Sequence, residues 1–185
     1  MGNRGQSRIQ SGKMAFCGML AALSIVLMLS GGLIPIATYC APMVSAILLL
    51  PILAEFGKKT AWTAFAAVAL ISLVLGIDKE AAFFYLFIGY YPLLKWELDR
   101  VKNKPARMLL KLIVFNGAIV LMYAVLGFVL GMNSVVAEFS EMGAALLAVF
   151  ILLLNLCMFL YDRLLFPLLI LYVNKIRPRL RFLRQ

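Results

Sequence analysis

Apolar residues come in long runs along almost the whole chain, separated by short polar stretches. After a polar arm from Gly2 to Lys13, the first run covers about Met14–Ile34. Others follow at about Tyr39–Phe56, Thr60–Gly76, Ala81–Lys95 and Met108–Leu130, and a sixth begins near Gly143. A helix that crosses a bilayer needs about 20 predominantly apolar residues. In hydrocarbon each backbone donor and acceptor must be satisfied within the segment, so runs of this length predict helices and not strands. The expected fold is all-α: a polytopic membrane protein with a six-transmembrane-helix bundle, forming one integral membrane domain over residues 1–185. Residues 1–13 are its basic arm, 14–161 the bundle and 162–185 a basic C-terminal segment.

The sixth run is longer than a bilayer needs, and Asp162-Arg163 followed by Pro167 interrupts it. The favoured expectation ends this span near Tyr161 and lays Leu164–Arg184 along the interface, with Asp162 and Arg163 at headgroup depth. The alternative is one tilted, kinked helix. Pro42 is expected in the first turn of helix 2, where its missing N–H costs little, and Pro51 is expected to kink that helix. The first run is read as a retained helix, because a secretory signal offers an apolar core of only about 7–15 residues before a small-residue cleavage site.

Composition strengthens the membrane reading. Hydrophobic residues make up 64% of the chain and charged ones 14%, with a mean hydropathy of +1.00. A soluble domain carries roughly 25% charged residues, and a short chain cannot hide such an excess in a core. Charge then sets the orientation. Arg4, Arg8 and Lys13 lie in the arm, and Lys58 and Lys59 between helices 2 and 3. Lys95, Arg100, Lys102, Lys104, Arg107 and Lys111 lie around the helix 4–5 loop, and Lys175, Arg177, Arg179, Arg181 and Arg184 in the tail. The alternate loops carry only Lys79, with Glu138 and Glu141 in the last of them. Positive residues stay on the cytoplasmic side, so both termini are expected in the cytoplasm. The net charge of +10 reflects this asymmetry and attraction to anionic lipid, with no need of nucleic acid.

Inventory removes most catalytic chemistry. The chain has no histidine, which excludes the HExxH zinc site and His-based triads. No clustered aspartates are placed to hold magnesium, and no phosphate loop or GxSxG occurs. Cys17, Cys40 and Cys157 lack CxxC spacing and read as packing residues. The chain is therefore expected to be no enzyme, with no cofactor and no metal site.

Several residues suit binding instead. Gly18 with Ala22, and Cys17 with Ala21, form small-xxx-small pairs that let helix backbones approach in lipid, against a partner or within the bundle. The segment Gly31–Pro42, rich in glycine, proline and apolar residues, suits either a lid over a pocket or a tight connection. Asp78-Lys79-Glu80 suits the positive end of the helix 4 dipole or the mouth of an outward-facing site. Phe83-Phe84-Tyr85, Tyr90, Tyr91 and Tyr123, with Asn116 and Asn155, offer aromatic walls with amides for a planar ligand, or interfacial anchors and interhelical hydrogen bonds. Glu55 is expected to pair with Lys58 and Lys59.

The basic arm, a helix 1 reading MAFCGMLAALSIVLM, six spans and a length of 185 residues resemble the substrate-binding S components of energy-coupling factor transporters, the bacterial vitamin importers. The resemblance implies a non-catalytic subunit that captures a small organic solute at an outward-facing pocket in the cell membrane. It further implies a transmembrane coupling protein as partner, driven by two cytoplasmic ATPases. On that analogy Cys17, Gly18, Ala21 and Ala22 face the coupling protein. Tyr39, Lys79, Tyr85, Tyr123 and Asn133 line the pocket. The missing histidines do not match the nickel and cobalt branch, which uses an N-terminal histidine. The alternative is a non-catalytic membrane scaffold similar in size and span number to the rod-shape protein MreD, with no ligand. A small membrane enzyme or lipid flippase is a third class, disfavoured because it needs charged interior residues.

Overall fold

The computed structural model describes residues 3–31, 37–75, 78–125, 127 and 143–179. They form α1 (Asn3–Gly31), α2 (Ala37–Ile47), α3 (Leu49–Leu75), α4 (Lys79–Ile88), α5 (Tyr91–Leu98), α6 (Lys104–Ala124) and α7 (Ala144–Leu171). A π turn at Tyr172–Ile176 and a 3-10 turn at Arg177–Arg179 extend α7. No strand occurs among the described residues. Among the described residues, four segments are long and apolar enough to cross a membrane: Ser11–Ser30, Leu49–Leu75, Lys104–Ala124 and Ala145–Arg179. Thr38–Ile47 is a shorter apolar helix.

The helix breaks follow local chemistry. Gly57 takes φ 78° and ψ 179°, dividing α3 into Leu49–Phe56 and Lys58–Leu75; that left-handed φ is open to glycine at little cost. The predicted second span is thus two pieces, α2 and the start of α3, joined by a turn in which the Leu48 N–H donates to the Ser45 carbonyl (3.2 Å). Pro51 falls just after this turn instead of kinking a helix, and Pro42 lies inside α2 because that helix already begins at Ala37. The predicted fourth span is also divided, into α4 and α5. At Gly89 any Cβ would lie 2.4 Å from the Tyr85 carbonyl oxygen, and Pro92 opens α5. Asp78 caps α4, its carboxylate accepting from the Ala81 N–H at 3.0 Å.

Two boundaries differ more. Part of the arm expected to be polar and separate is helical from Asn3 onward. The sixth helix does not stop at Tyr161 but continues through Asp162 and Pro167 to Leu171. Asp162 does not force an exit from the bundle, because lysines from neighbouring helices neutralise it there.

Neighbouring runs pack antiparallel. Phe16 of α1 meets Phe56 of α3, ring centroids 6.4 Å apart. Further along, Ser24 and Ser45 each donate a hydroxyl to the other's backbone carbonyl, at 3.3 and 3.2 Å. Phe65 packs on Tyr85 at 5.4 Å, Trp62 stacks on Tyr90 at 6.2 Å, and Lys58 pairs with Glu97. Asn116 and Asn155 join α6 to α7 by reciprocal amide hydrogen bonds of 2.9 and 3.1 Å; these amides thus serve interhelical bonding. The Tyr161 hydroxyl donates to the Met43 carbonyl at 3.1 Å, tying α7 to α2. Outward-facing Val74, Val120 and Leu152 remain 78%, 69% and 68% exposed, a surface suited to hydrocarbon rather than water.

Candidate functional sites at the two ends of the bundle

One end of the bundle gathers the start of α2, the start of α4 and the end of α6. There the Tyr39 hydroxyl donates to Glu80 Oε1 at 2.8 Å, and the Tyr123 hydroxyl reaches the same oxygen at 3.4 Å. Thr38 Oγ1 donates to Asp78 Oδ2 at 2.7 Å. Phe84 meets the Tyr39 ring edge-on, centroids 5.4 Å apart. A half-buried carboxylate between two phenols, walled by an aromatic ring, can exchange these hydrogen bonds for those of a small polar solute.

The structure sorts the residues expected to line a pocket. Tyr39 and Tyr123 come together. Lys79 belongs to the same end, but its ammonium donates to the Leu73 carbonyl at 2.8 Å and is exposed. Tyr85 is fully buried against Phe65 and is part of the core. Asn133 lies outside the described residues. Glu80, read from the sequence as a helix-start acid, is the residue on which the two tyrosines meet. Its position one turn before an aromatic cluster was the available signal.

The small residues of α1 also divide. Cys17 and Ala21 pack against the core, so that pair serves contacts within the bundle. Gly18 and Ala22 are exposed, and a Cβ at Gly18 would meet nothing within 4 Å.

The other end holds a charge cluster that the sequence reading did not assemble. Asp162 of α7, 9% exposed, accepts from Tyr91 (2.7 Å), Lys95 (2.7 Å) and Lys111 (2.9 Å to Oδ2). Asp99, at the end of α5, takes a second bond from each lysine, at 3.1 Å from Lys95 and 2.6 Å from Lys111. Burial pushes the Asp99 carboxyl up, but the hydrogen bonds and charges of Lys111 and Lys95 outweigh it and hold it below the ordinary carboxylate value. Glu55 pairs with Arg177 at 2.9 Å and accepts from Tyr172 at 3.4 Å. This corrects the expected pairing with Lys58, which goes to Glu97. The cluster also meets the objection that charged interior residues are missing: Lys95 is 5% exposed and lies deep between helices.

Beside the cluster opens a cavity of about 580 Å³ between α5, α6 and α7. Its floor is Tyr91, Lys95 and Asp162, its apolar wall Leu112, Phe115, Met158 and Phe159, and its rim Lys104, Arg107 and Arg163. Among the described residues, no three His, Cys, Asp or Glu side chains are grouped to hold a metal ion. No protein-family model, curated protein or solved structure matches the chain.

Proposed function

We propose that the chain is a six-span membrane protein with both termini in the cytoplasm. In this reading it is the substrate-capture subunit of an energy-coupling factor type importer, binding a small organic solute such as a vitamin at its outward-facing end. The observation that carries this reading is the meeting of Tyr39 and Tyr123 on Glu80, at the end remote from the lysine and arginine clusters. The long apolar helices, with α2 joined to the start of α3 as a second pass and the α4–α5 pair as a fourth, support the six spans. The positive-inside bias places Glu80 outside and Asp162 toward the cytoplasm. The subunit itself carries no catalysis. The exposed Gly18 and Ala22 stripe is the face offered to a transmembrane coupling protein, through which two cytoplasmic ATPases act.

Native mass spectrometry of the gently solubilised protein, taken from its own host without overproduction, tests this. A vitamin-sized solute on the wild type, reduced about tenfold or more in Glu80→Gln, supports the reading; the lost charge-assisted hydrogen bonds set that scale. Gly18→Leu, whose Cβ meets no atom within 4 Å in the bundle, should release the coupling protein and keep the solute. Recovery of cell-wall or division proteins with no solute would favour the scaffold instead.

A further inference from the structure

The cavity at the basic end has a composition that solute capture at the opposite end does not require. Five basic side chains line it (Lys95, Lys104, Arg107, Lys111 and Arg163) against two carboxylates, Asp99 and Asp162. Lys95 and Lys111 are held by both carboxylates at 2.6–3.1 Å, so these four charges balance. Three cations remain at the rim. Arg107 lies 3.9 Å from the Asp99 carboxylate and donates to the Asp99 carbonyl at 3.5 Å, so its charge stands outside the balanced four. Arg163 lies over the Phe159 ring at 4.8 Å with no carboxylate among the described residues, and Lys104 likewise has none there. A cavity whose rim is three positive charges in excess selects an anion.

The rest of the cavity selects what carries that anion. Below the rim the wall is apolar, and its members Met108, Leu112 and Phe159 are 51%, 41% and 39% exposed on the outside of the bundle. The cleft is therefore open sideways, toward apolar helix faces such as those of Leu109 and Leu160. A soluble anion would leave this apolar side uncovered. A phospholipid fills both parts, with its phosphate at the cationic rim and the start of its acyl chains along Met108, Leu112 and Phe159. The volume of about 580 Å³ falls within the range of roughly 300–1,000 Å³ for ligand sites.

We infer that the cleft between α5, α6 and α7 is a binding site for an anionic phospholipid, whose phosphate is held by Lys104, Arg107 and Arg163. Basic pockets between transmembrane helices bind lipid headgroups by the same physics. The site is independent of the solute reading, since it lies at the other end of the bundle and uses none of its residues.

The test delipidates the full chain in detergent and titrates it with phosphatidylglycerol, phosphatidylcholine or inorganic phosphate, reading bound ligand by native mass spectrometry. Wild type should keep phosphatidylglycerol in preference to phosphatidylcholine. Lys104→Gln with Arg107→Gln should weaken it about tenfold or more, and Lys104→Arg with Arg107→Lys should restore it. A control, Lys59→Gln with Lys175→Gln, removes the same charge from exposed positions outside the cleft and should change little. Equal weakening by the control pair would overturn the site in favour of general surface attraction. Inorganic phosphate competing as well as the lipid, at equal concentration, would overturn the lipid in favour of a soluble anion.

Discussion

The two ends of the bundle handle buried charge in opposite ways. At the Glu80 end, one carboxylate is met by two neutral phenols from different helices, and the only nearby cation of its own loop, Lys79, turns to a backbone carbonyl. At the Asp162 end, two carboxylates and two lysines from three elements close on one another, with Tyr91 completing the shell. The first arrangement is held by hydrogen bonds that a solute can replace one at a time. In the second, removing any member leaves a charge stranded in low dielectric, so it cannot be opened cheaply. An exchangeable polar site and a fixed structural joint are thus built from similar residues, and the presence of matched countercharge separates them.

The largest expected effect breaks the joint. Asp162→Ala strands Lys95 and Lys111 beside a single carboxylate and should cost about 3–5 kcal/mol, read as the loss in unfolding free energy in detergent. Glu80→Leu leaves the Tyr39 and Tyr123 hydroxyls without their acceptor and should cost less, about 1–3 kcal/mol. If Glu80→Leu proved the more damaging of the two, the distinction between exchangeable site and joint would be reversed. The Asn116–Asn155 pair should contribute about 0.6 kcal/mol, and at most about 1.7, in a double-mutant cycle with Asn116→Leu and Asn155→Leu.

The smallest effect is one of pH. The Asp99 carboxyl is depressed by its lysine partners, so the stability it gives is fully present above the unfolded carboxylate pKa of about 3.9. It is lost as pH falls through the lower folded value. Melting temperature should stay flat from neutral pH to about 5 and fall below about 4, and Asp99→Asn should flatten the acid limb.

Hydrophobic run length made the helical architecture legible, because in lipid an apolar run has few alternatives to a helix. The start of α4 at Asp78-Lys79-Glu80 was readable from the helix dipole. The division of the second and fourth runs was not. It depends on one left-handed glycine, Gly57, and on a close approach at Gly89, and neither changes hydropathy. Tyr39, Tyr85 and Tyr123 share one aromatic character in the sequence, yet Tyr39 and Tyr123 meet on Glu80 while Tyr85 turns inward to Phe65. Periodicity gives the face of a helix but not which faces meet.

Asp162 shows the same limit from the other side. A charge within an apolar run reads as the end of a span when considered alone. Lys95 and Lys111 each sit in or beside such a run, and only with Asp99 added do two acids and two bases cancel inside the fold. The sign of each charge in or beside its run was the available signal, since two acids and two bases at one end of neighbouring spans make a matched set.

The central claim is that these two ends face opposite sides of the membrane, the Glu80 end outward. Single cysteines at Lys79 and Lys102, in a chain with Cys17, Cys40 and Cys157 replaced by serine, test it through a membrane-impermeant maleimide applied to intact cells. Lys79→Cys should be labelled in intact cells and Lys102→Cys only after permeabilisation; labelling of Lys102→Cys alone in intact cells would invert the protein and contradict the account.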